Sequence, residues 1–464
     1  MRRGAGRRGM SATQAPRLSA VIRYGWAVGE FAIASHMSII SIYLLFYLTE
    51  VHHFPGALAG TLILIPRLWN VITDPLMGGI SDRIRSRWGR RRPFLLAGAV
   101  LWGVAYAAMF WIPEHLPLGQ KAAWFLAACL AVNTGLSLYH VPYSAMVPEM
   151  THSTDERLSL LGYKEIAARL SVLVTVMGSP LIVGFAPSPL IGYRWVGIAV
   201  GILIFLSGVV AFLATAKAPA IAFQPQTMSW GEQVRTFRQN RGLLRLSGVY
   251  LFTSASDAFY SALLIYFITI ALGQPGSLTG ALYPVGSLTA IVMTAVWAQA
   301  GKRIGRKTAC SIALVGAASV FLLSLLIPAD ASWLMFPLMV LLGGFFAGLF
   351  LLPGTMVPDT VEDDERISGQ RREGTIYGAW IFTQQTGMAF GAFLVGVYLD
   401  MIGYKSGAAH VASGREVWLV RLGFALGPPL LIGMGLLILR TVPLGERLQR
   451  RTTIETLSPA PSID

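Results

Sequence analysis

Asn70, Thr73 and Asp74 place three oxygen-bearing side chains in an otherwise apolar stretch of the sequence. Asn70 and Asp74 lie one helical turn apart, so on a helix both side chains point to the same face. Clustered oxygens that include a carboxylate can bind a hard cation, and a carboxylate can also bind and release a proton. A charged side chain inside an apolar segment is costly unless it faces water or a partner. Asp74 is therefore the first candidate for ion binding. The alternative is a structural, hydrogen-bonded aspartate beside Pro75.

Polar and aromatic side chains also interrupt other apolar stretches. His140 could titrate near neutral pH and hydrogen-bond a ligand, although a histidine satisfied inside the core is an equal alternative. Tyr139 and Tyr143 are spaced to share one helix face, where they could stack on a ring-shaped ligand or pack against the protein. The remaining candidates for contacting a solute are Asp257, which stands alone in SASDAFYSALLIYF, and Trp380, Gln384 and Gln385, which could hydrogen-bond or stack on a polyol.

The composition is that of a membrane protein that crosses the bilayer many times. Of 464 residues, 54% are hydrophobic and only 13% are charged, whereas soluble domains carry about 25% charged residues. The net charge of +14 resides in short loops between apolar spans, which argues against a nucleic-acid partner. No nucleophile–base pair, metal-ligand cluster or phosphate loop is present in the sequence, so a membrane enzyme or a non-transporting sensor is the less favoured alternative. No metal beyond a possible sodium ion at Asp74 and no cofactor are expected.

Twelve segments are long and apolar enough to cross a bilayer, which takes about 20 residues each. We place spans 1 to 12 at about residues 25–49, 56–80, 93–112, 121–147, 160–185, 191–215, 243–271, 276–300, 307–327, 332–357, 375–400 and 416–440.

Basic residues predict the orientation of these spans. A tight cationic turn follows span 2, and such loops belong on the cytoplasmic side. The opposite loops hold only Lys121, Arg194, Lys405, Arg415 and Arg421. We therefore expect both termini to be cytoplasmic in an integral protein of the plasma (inner) membrane. The basic, acid-poor tail lacks the apolar core of a signal peptide, and an organelle-targeting segment is its alternative interpretation.

The chain divides into two similar halves. We predict a disordered tail at 1–22, a six-helix bundle at 23–215, a polar linker at 216–242, a second bundle at 243–440 and a tail at 441–464. The loop after span 2 ends in WGRRRP and the loop after span 8 reads KRIGRK. This weak repeat supports two related bundles with a site between them near mid-membrane.

Several long motifs carry a family resemblance. RLWNVITDPLMGGISDR followed by SRWGRRRP, together with YLLFYLTEV, VPYSAMVPEMT, DERLSLLGYK and PDTVEDDERISGQRREG, resembles the glycoside-pentoside-hexuronide:cation symporters, the melibiose permease group of the major facilitator superfamily. The SDRxxSRxGRRRP part is also similar to sucrose transporters. The resemblance spans nearly the whole chain. It implies an all-α membrane protein with twelve transmembrane helices in two pseudo-symmetric six-helix bundles, which transports by alternating access.

The resemblance implies a sodium or proton site on span 2. The family typically has two aspartates there, completed by a hydroxyl from span 4. In this chain the set is Asn70, Thr73, Asp74 and Ser137. Since Asn70 replaces the first aspartate, one coordinating charge is missing, which weakens sodium binding more than protonation. We therefore favour H+ over Na+ as the coupling ion.

The resemblance also implies a solute site, and the substitutions within it leave the solute class open. His140 stands where the melibiose-permease pattern has a sugar-binding aspartate, and Gln385 replaces a lysine. Glu30 and His36 lie close to a lost span 1 aspartate, and the basic position on span 5 is Lys164 or its neighbour Glu165. A glycoside or sugar derivative is our first expectation. An amphiphilic or organic-acid solute such as a lysolipid is the alternative, and we expect spans 1, 4, 7 and 11 to line the cavity.

Charged residues near the loops after spans 2 and 10 are expected to act as gates. In the resembled superfamily, ion pairs between helix ends close the cytoplasmic side. The matching residues are Asp82, Arg83, Arg90, Arg91, Asp359, Arg371 and Arg372. The alternative is a solvated charged loop. The expected partners are the small-molecule solute and membrane lipid, and we expect the protein to be a monomer.

Overall fold

The computed structural model describes residues 18–151, 153–219, 235, 237–368, 372–404 and 413–442, and this part of the chain is helical without strands. Eleven helices are long and apolar enough to cross a membrane. Glu373–Met401, of 29 residues, is long enough for a twelfth crossing and lies where span 11 was predicted. The all-α fold class is thereby confirmed.

The helices give the spans their bounds. In the first half, span 1 comprises Ala20–Val28, Glu30–Ile39 and the π-helical Ile40–Leu44 and Tyr47–Val51; spans 2 to 6 are Gly56–Arg83, Arg92–Met109, Leu118–Met150, Thr154–Phe185 and Pro189–Ala214. In the second half, span 7 is Arg241–Tyr266 with the π-helical Phe267–Ala271, and spans 8 to 12 are Leu278–Ile304, Arg306–Leu323, Met335–Gly354, Glu373–Met401 and Gly414–Thr441.

The structure differs from the expectation at the start of span 1 and after span 10. Span 1 begins at Ala20, inside the predicted tail 1–22, because Ser19 caps the helix by accepting the Ile22 N–H. The charged segment after span 10 contains a helix, Val357–Ser368, where a solvated loop was the alternative. Most of the predicted linker, residues 220–234 and 236, lies outside the described residues.

The repeated basic turn has the same backbone geometry in both halves. Gly89 after span 2 has φ +90° and Gly305 after span 8 has φ +86°. Only glycine adopts this left-handed region without strain. In both turns an arginine follows directly, so the glycine aims a basic side chain back at its own bundle.

The two halves meet closely at the end of the molecule opposite the turn that holds Gly89. There span 2 crosses span 11 at glycines: a Cβ on Gly396 would lie 2.2 Å from the Gly56 carbonyl oxygen, and one on Gly56 would lie 2.4 Å from the Gly396 oxygen. Spans 5 and 8 approach at Gly280, whose Cβ would lie 3.2 Å from the Val176 oxygen. We call this the closed end and the opposite one, which carries the basic turns, the basic end.

Candidate functional site

The predicted ion-binding residues of spans 2 and 4 lie together. Ser137 donates to Asp74 Oδ1 over 2.5 Å, and its hydroxyl lies 2.8 Å from that of Thr73. Thr73 and Ser137 are buried, and Asp74 is half-buried. Two helices therefore bring one carboxylate and two hydroxyl oxygens into contact.

Two amide oxygens beside this cluster have unused hydrogen-bonding capacity. Asn70 is 4% exposed, and its Oδ1 has no hydrogen-bond partner among the described residues. Asn133, one turn before Ser137, also has a buried Oδ1 without such a partner. A carboxylate, hydroxyls and amide oxygens are the donor types that a hard cation takes. The residues present thus suit a small cation or a proton on Asp74.

Arg67 is a functional candidate that our sequence analysis missed. It lies one turn before Asn70 and is only 7% exposed. Its Nη2 lies 3.4 Å from Met37 Sδ, a weak acceptor, and its Nη1 has no partner among the described residues. A basic residue within an apolar span was the available signal. Its positive charge on the helix of Asp74 offsets the one carboxylate of the cluster.

Lys164 and Glu165, the two candidates for the basic position of the family pattern on span 5, have different partners in the structure. Lys164 Nζ lies 3.4 Å from the buried Glu30 carboxylate, so it faces the interior of the first half. Glu165 pairs instead with Arg169 over 2.6 Å. Lys164 therefore matches the position better, and Glu30 is its counter-charge.

Tyr139 and Tyr143 hold span 4 against span 1. Tyr139 Oη donates to the Gly29 carbonyl over 3.1 Å, and Tyr143 Oη donates to the Trp26 carbonyl over 2.9 Å. The Tyr143 ring also stacks on Trp26 with centroids 4.7 Å apart. Both tyrosines are fully buried, so in this conformation the packing alternative describes them.

The other predicted solute-binding residues are dispersed. His36 is buried in the first half, where the Trp102 indole donates to its Nδ1 over 3.4 Å. His140 is half-buried on span 4, as are Gln384 and Gln385 on span 11. On the same span, Trp380 stacks on Tyr250 with centroids 3.9 Å apart, which occupies one face of its ring.

A cavity of about 750 Å³ lies between the halves, lined by spans 5, 7, 8 and 10. Of the predicted solute-binding residues, Asp257 lines it. This arrangement differs from the cavity of spans 1, 4, 7 and 11 that we predicted. A polar residue in mid-span can face a neighbouring helix as well as a cavity, and spacing along the chain does not distinguish the two.

Three of the four predicted gating residues of the first half belong to one ion-pair cluster. Arg91, 6% exposed, binds Asp82 over 2.5 Å and Glu149 over 2.9 Å. It also donates to Ser81 Oγ over 2.6 Å. Arg90 pairs with Glu149 too, whereas Arg83 is exposed. Glu149, at the end of span 4, was not in our predicted set.

The second half has a matching ion pair. Arg306 binds Asp359 over 2.6 Å; Arg372 is half-buried, and Arg371 lies outside the described residues. Every ion pair found among the described residues stays within one half. Pairing across the basic end, as predicted, is therefore not found among the described residues in this conformation. Arg90, Arg91 and Arg306 are each held by an acid of their own bundle.

Hydrogen bonds join the halves at the closed end. Asp400, at the end of span 11, accepts the backbone N–H groups of Gly56 and Ala57 at the start of span 2. Beside it, the Thr49 and Tyr266 hydroxyls lie 2.5 Å apart. The first N–H groups of a helix lack partners within it and favour a negative charge. Sequence reasoning missed Asp400, although an acid at the end of a span was a usable signal.

Comparisons with known proteins agree with this architecture. The family model described as MFS/sugar transport protein matches residues 25–446. The isoprimeverose transporter of Lactiplantibacillus pentosus is 23% identical, over 87% of this chain and 86% of that protein. The sodium-dependent lysophosphatidylcholine symporter 1 of Gallus gallus is 24% identical, over 94% and 88%. A solved bacterial homologue of the human lysosomal transporter Spinster, inward-facing and unoccupied, has a TM-score of 0.64 at 13% identity, over 95% and 98%.

Proposed function

Because this chain belongs to the MFS/sugar transport protein family of the major facilitator superfamily, we propose that it is a cation-coupled symporter that carries a small organic solute by alternating access. The observation that carries the proposal is the hydrogen bond from Ser137 to Asp74, together with the contact between the Ser137 and Thr73 hydroxyls. Two spans meet at one carboxylate there, so ion binding changes how spans 2 and 4 pack. Such a change is what links an ion to a conformational cycle.

Protons are the ion that we favour at Asp74. The cluster has one carboxylate, since Asn70 stands at the first acidic position of the pattern. The Arg67 guanidinium, which has no acidic partner among the described residues, lies on the same helix. The formal charges of Asp74 and Arg67 sum to zero, so the cluster attracts sodium weakly. A proton needs only one carboxylate. The chicken relative is named sodium-dependent, so the choice of ion needs its own test.

For the solute, a glycoside or sugar derivative is the first candidate and an amphiphile is the second. The isoprimeverose transporter supports the first. The cavity between the halves supports the second, because most residues of its wall are apolar or aromatic, and the lysophosphatidylcholine symporter points the same way. Sugars are held mainly by hydrogen bonds, so an apolar wall favours a solute with a hydrocarbon part.

The proposed orientation places the basic end in the cytoplasm of a cell whose plasma (inner) membrane holds the protein. Basic loops remain cytoplasmic, and both termini would lie on that side. The structure then represents an inward-facing state, since the halves are joined by hydrogen bonds at the closed end. In the opposite state we propose that Arg91, Arg306 and the acids near them form contacts across the basic end.

Uptake into proteoliposomes tests the function. Asp74→Asn should abolish accumulation against a solute gradient, yet leave solute exchange or binding, because the neutral amide mimics one fixed ionisation state. The matched control is Asp330→Asn, which removes an exposed carboxylate. Labelled glycosides and a lysolipid form the solute panel. Full accumulation by the Asp74 variant would remove ion coupling from this site.

The ion is identified with separate gradients. In wild-type vesicles, a pH gradient without sodium should drive uptake, and a sodium gradient at fixed pH should not. Uptake driven by sodium alone would overturn the preference for protons but keep the symport proposal.

A further inference from the structure

The cavity between spans 5, 7, 8 and 10 carries one uncompensated carboxylate, and we propose that it binds the ammonium group of an organic cation through Asp257. This inference rests on the proposed function, in which the solute passes through this cavity. It specifies that the amphiphilic solute carries a positive charge. The ligand class is a primary to quaternary ammonium joined to a hydrocarbon body.

Charge balance in the cavity wall is the first argument. Its charged residues are Asp257, Glu165 and Arg169. Glu165 and Arg169 neutralise each other through a 2.6 Å ion pair. No ion pair or hydrogen bond to the Asp257 carboxylate is found among the described residues. A carboxylate at membrane depth needs water, a proton or a cationic partner. The cavity wall therefore carries one negative charge that a cationic ligand can neutralise.

Hydrogen-bonding capacity in the wall argues against a neutral polyol. The Ser287 and Thr294 hydroxyls donate to carbonyls of their own helix. Ser287 donates to the Tyr283 oxygen over 3.1 Å, and Thr294 donates to the Ala290 oxygen over 2.7 Å. Tyr260 Oη donates to Met339 Sδ over 3.2 Å. These hydroxyls already donate to protein atoms. A sugar entering the cavity would lose hydrogen bonds to water and gain few hydrogen bonds to the wall.

Aromatic rings form much of the remaining wall. Tyr260, Tyr283, Phe346 and Phe350 line the cavity. The centroids of Tyr260 and Phe346 are 5.7 Å apart, and those of Phe346 and Phe350 are 6.2 Å apart, so three of the rings form a continuous surface. A cation over such faces is attracted by the negative charge of the ring face. This attraction adds to that of Asp257 and is specific to a positive charge.

Size and ligand number distinguish an organic cation from a metal ion. The volume of about 750 Å³ lies within the range of roughly 300 to 1,000 Å³ for small-molecule sites. A hard metal ion needs about six oxygen ligands close together, and this wall supplies one carboxylate among apolar groups. The cavity therefore suits a positive charge spread over carbon and nitrogen.

Equilibrium binding of radiolabelled choline to the purified full-length protein tests the proposal. Unlabelled benzyltrimethylammonium should displace choline, and 3,3-dimethylbutan-1-ol, the neutral isostere of choline, should be weaker by about tenfold or more because it lacks the charge. Asp257→Asn should weaken choline binding by about tenfold or more, while Asp257→Glu restores most of it. The exposed-site variant Asp330→Asn should bind as the wild type does.

Three results would overturn the proposal. They are an absence of saturable choline binding to the wild type, equal competition by the neutral isostere, and unchanged binding by a folded Asp257→Asn protein. The isostere comparison uses the wild type alone, so it decides even if the variant does not fold. The choline-binding experiment uses no ion gradient, so its outcome is independent of the uptake experiment with Asp74→Asn. If Asp74→Asn loses coupling and the wild type does not bind choline, the symport proposal stands and only the organic-cation proposal is contradicted.

Discussion

The Asp400 carboxylate accepts the backbone N–H of Gly56 over 2.6 Å and that of Ala57 over 2.7 Å. One residue of span 11 thus caps span 2 across the interface between the halves. Hydrogen bonds to a charged group contribute about 1.5 to 3 kcal/mol each, and less where water competes. Since Ala57 is partly exposed, we expect about 2 kcal/mol for this contact in total. The Asp400 side chain therefore contributes to holding the closed end together, beside the contacts of Thr49 with Tyr266 and of Gly56 with Gly396.

Asp400→Ala should shift the protein toward the state in which the closed end is open. The variant loses both acceptors for the first N–H groups of span 2, so the shift should be roughly tenfold or more in the population ratio. Spin labels at the exposed Leu118 and Met401, in a background without Cys129 and Cys310, should report a longer distance by double electron–electron resonance. The same labels with Asp330→Asn are the control, and an unchanged distance distribution would show that Asp400 does not hold the closed end.

Gly396→Ala should stop the closed end from closing. Its Cβ would lie 2.2 Å from the Gly56 carbonyl oxygen, a separation that backbone atoms cannot accommodate without moving apart. Gly378→Ala on the same helix is the matched control, because nothing lies within 4 Å of its Cβ. Solute uptake should fall about tenfold or more for the first variant and stay near wild type for the second. Equal uptake by the two would contradict tight helix crossing at Gly396.

Arg91→Lys should destabilise the first half although it keeps the charge. Arg91 binds Asp82, Glu149 and Ser81 together, and the single ammonium of lysine cannot reproduce that planar fork. Buried charges left with fewer partners cost about 2 kcal/mol or more. The thermal unfolding midpoint in detergent should fall, whereas the exposed Arg85→Lys should leave it unchanged. Matching midpoints would mean that the cluster tolerates a point charge.

His52, in the loop between spans 1 and 2, should make stability depend on pH. Burial first, then the positive charges of Lys121 and Arg194, lowers the pKa of His52 to about 4, against about 6.5 in the unfolded chain. The unfolded state thus binds the proton first as the pH falls. The contribution of neutral His52 to the free energy of unfolding is complete above about pH 6.5. It is lost progressively as the pH falls to about 4, and the free energy of unfolding falls by at most about 1.4 kcal/mol per pH unit.

The comparison is between wild type and His52→Gln. Unfolding midpoints between about pH 7 and pH 5 should decline less for the variant. His115→Gln, an exposed histidine at the same end, controls for general effects of losing a histidine. A decline equal in wild type and His52→Gln would exclude His52 as the source.

The helices were predictable because bilayer thickness sets their length, and apolar runs of that length are visible in the chain. The meeting of Asp74 and Ser137 was suggested only by the family pattern, since they lie on different spans. The contact of Asp400 with Gly56 joins residues 344 positions apart, and no local periodicity encodes it. For Tyr139 and Tyr143 the spacing indicated a shared face, but whether a solute or span 1 covers that face depends on how the helices assemble.

We expect the Asp400 contact to make the apparent affinity for solute differ between the two faces of the membrane. A solute arriving at the closed end binds only to molecules in which that end has opened, so its apparent affinity is the intrinsic affinity multiplied by the open fraction. If about one molecule in a hundred is open, the apparent dissociation constant measured from that side is about a hundredfold higher than the intrinsic one. Solute meeting the basic end has no such penalty. Identical contacts inside the cavity therefore give two different half-saturation concentrations, one for each face of the membrane.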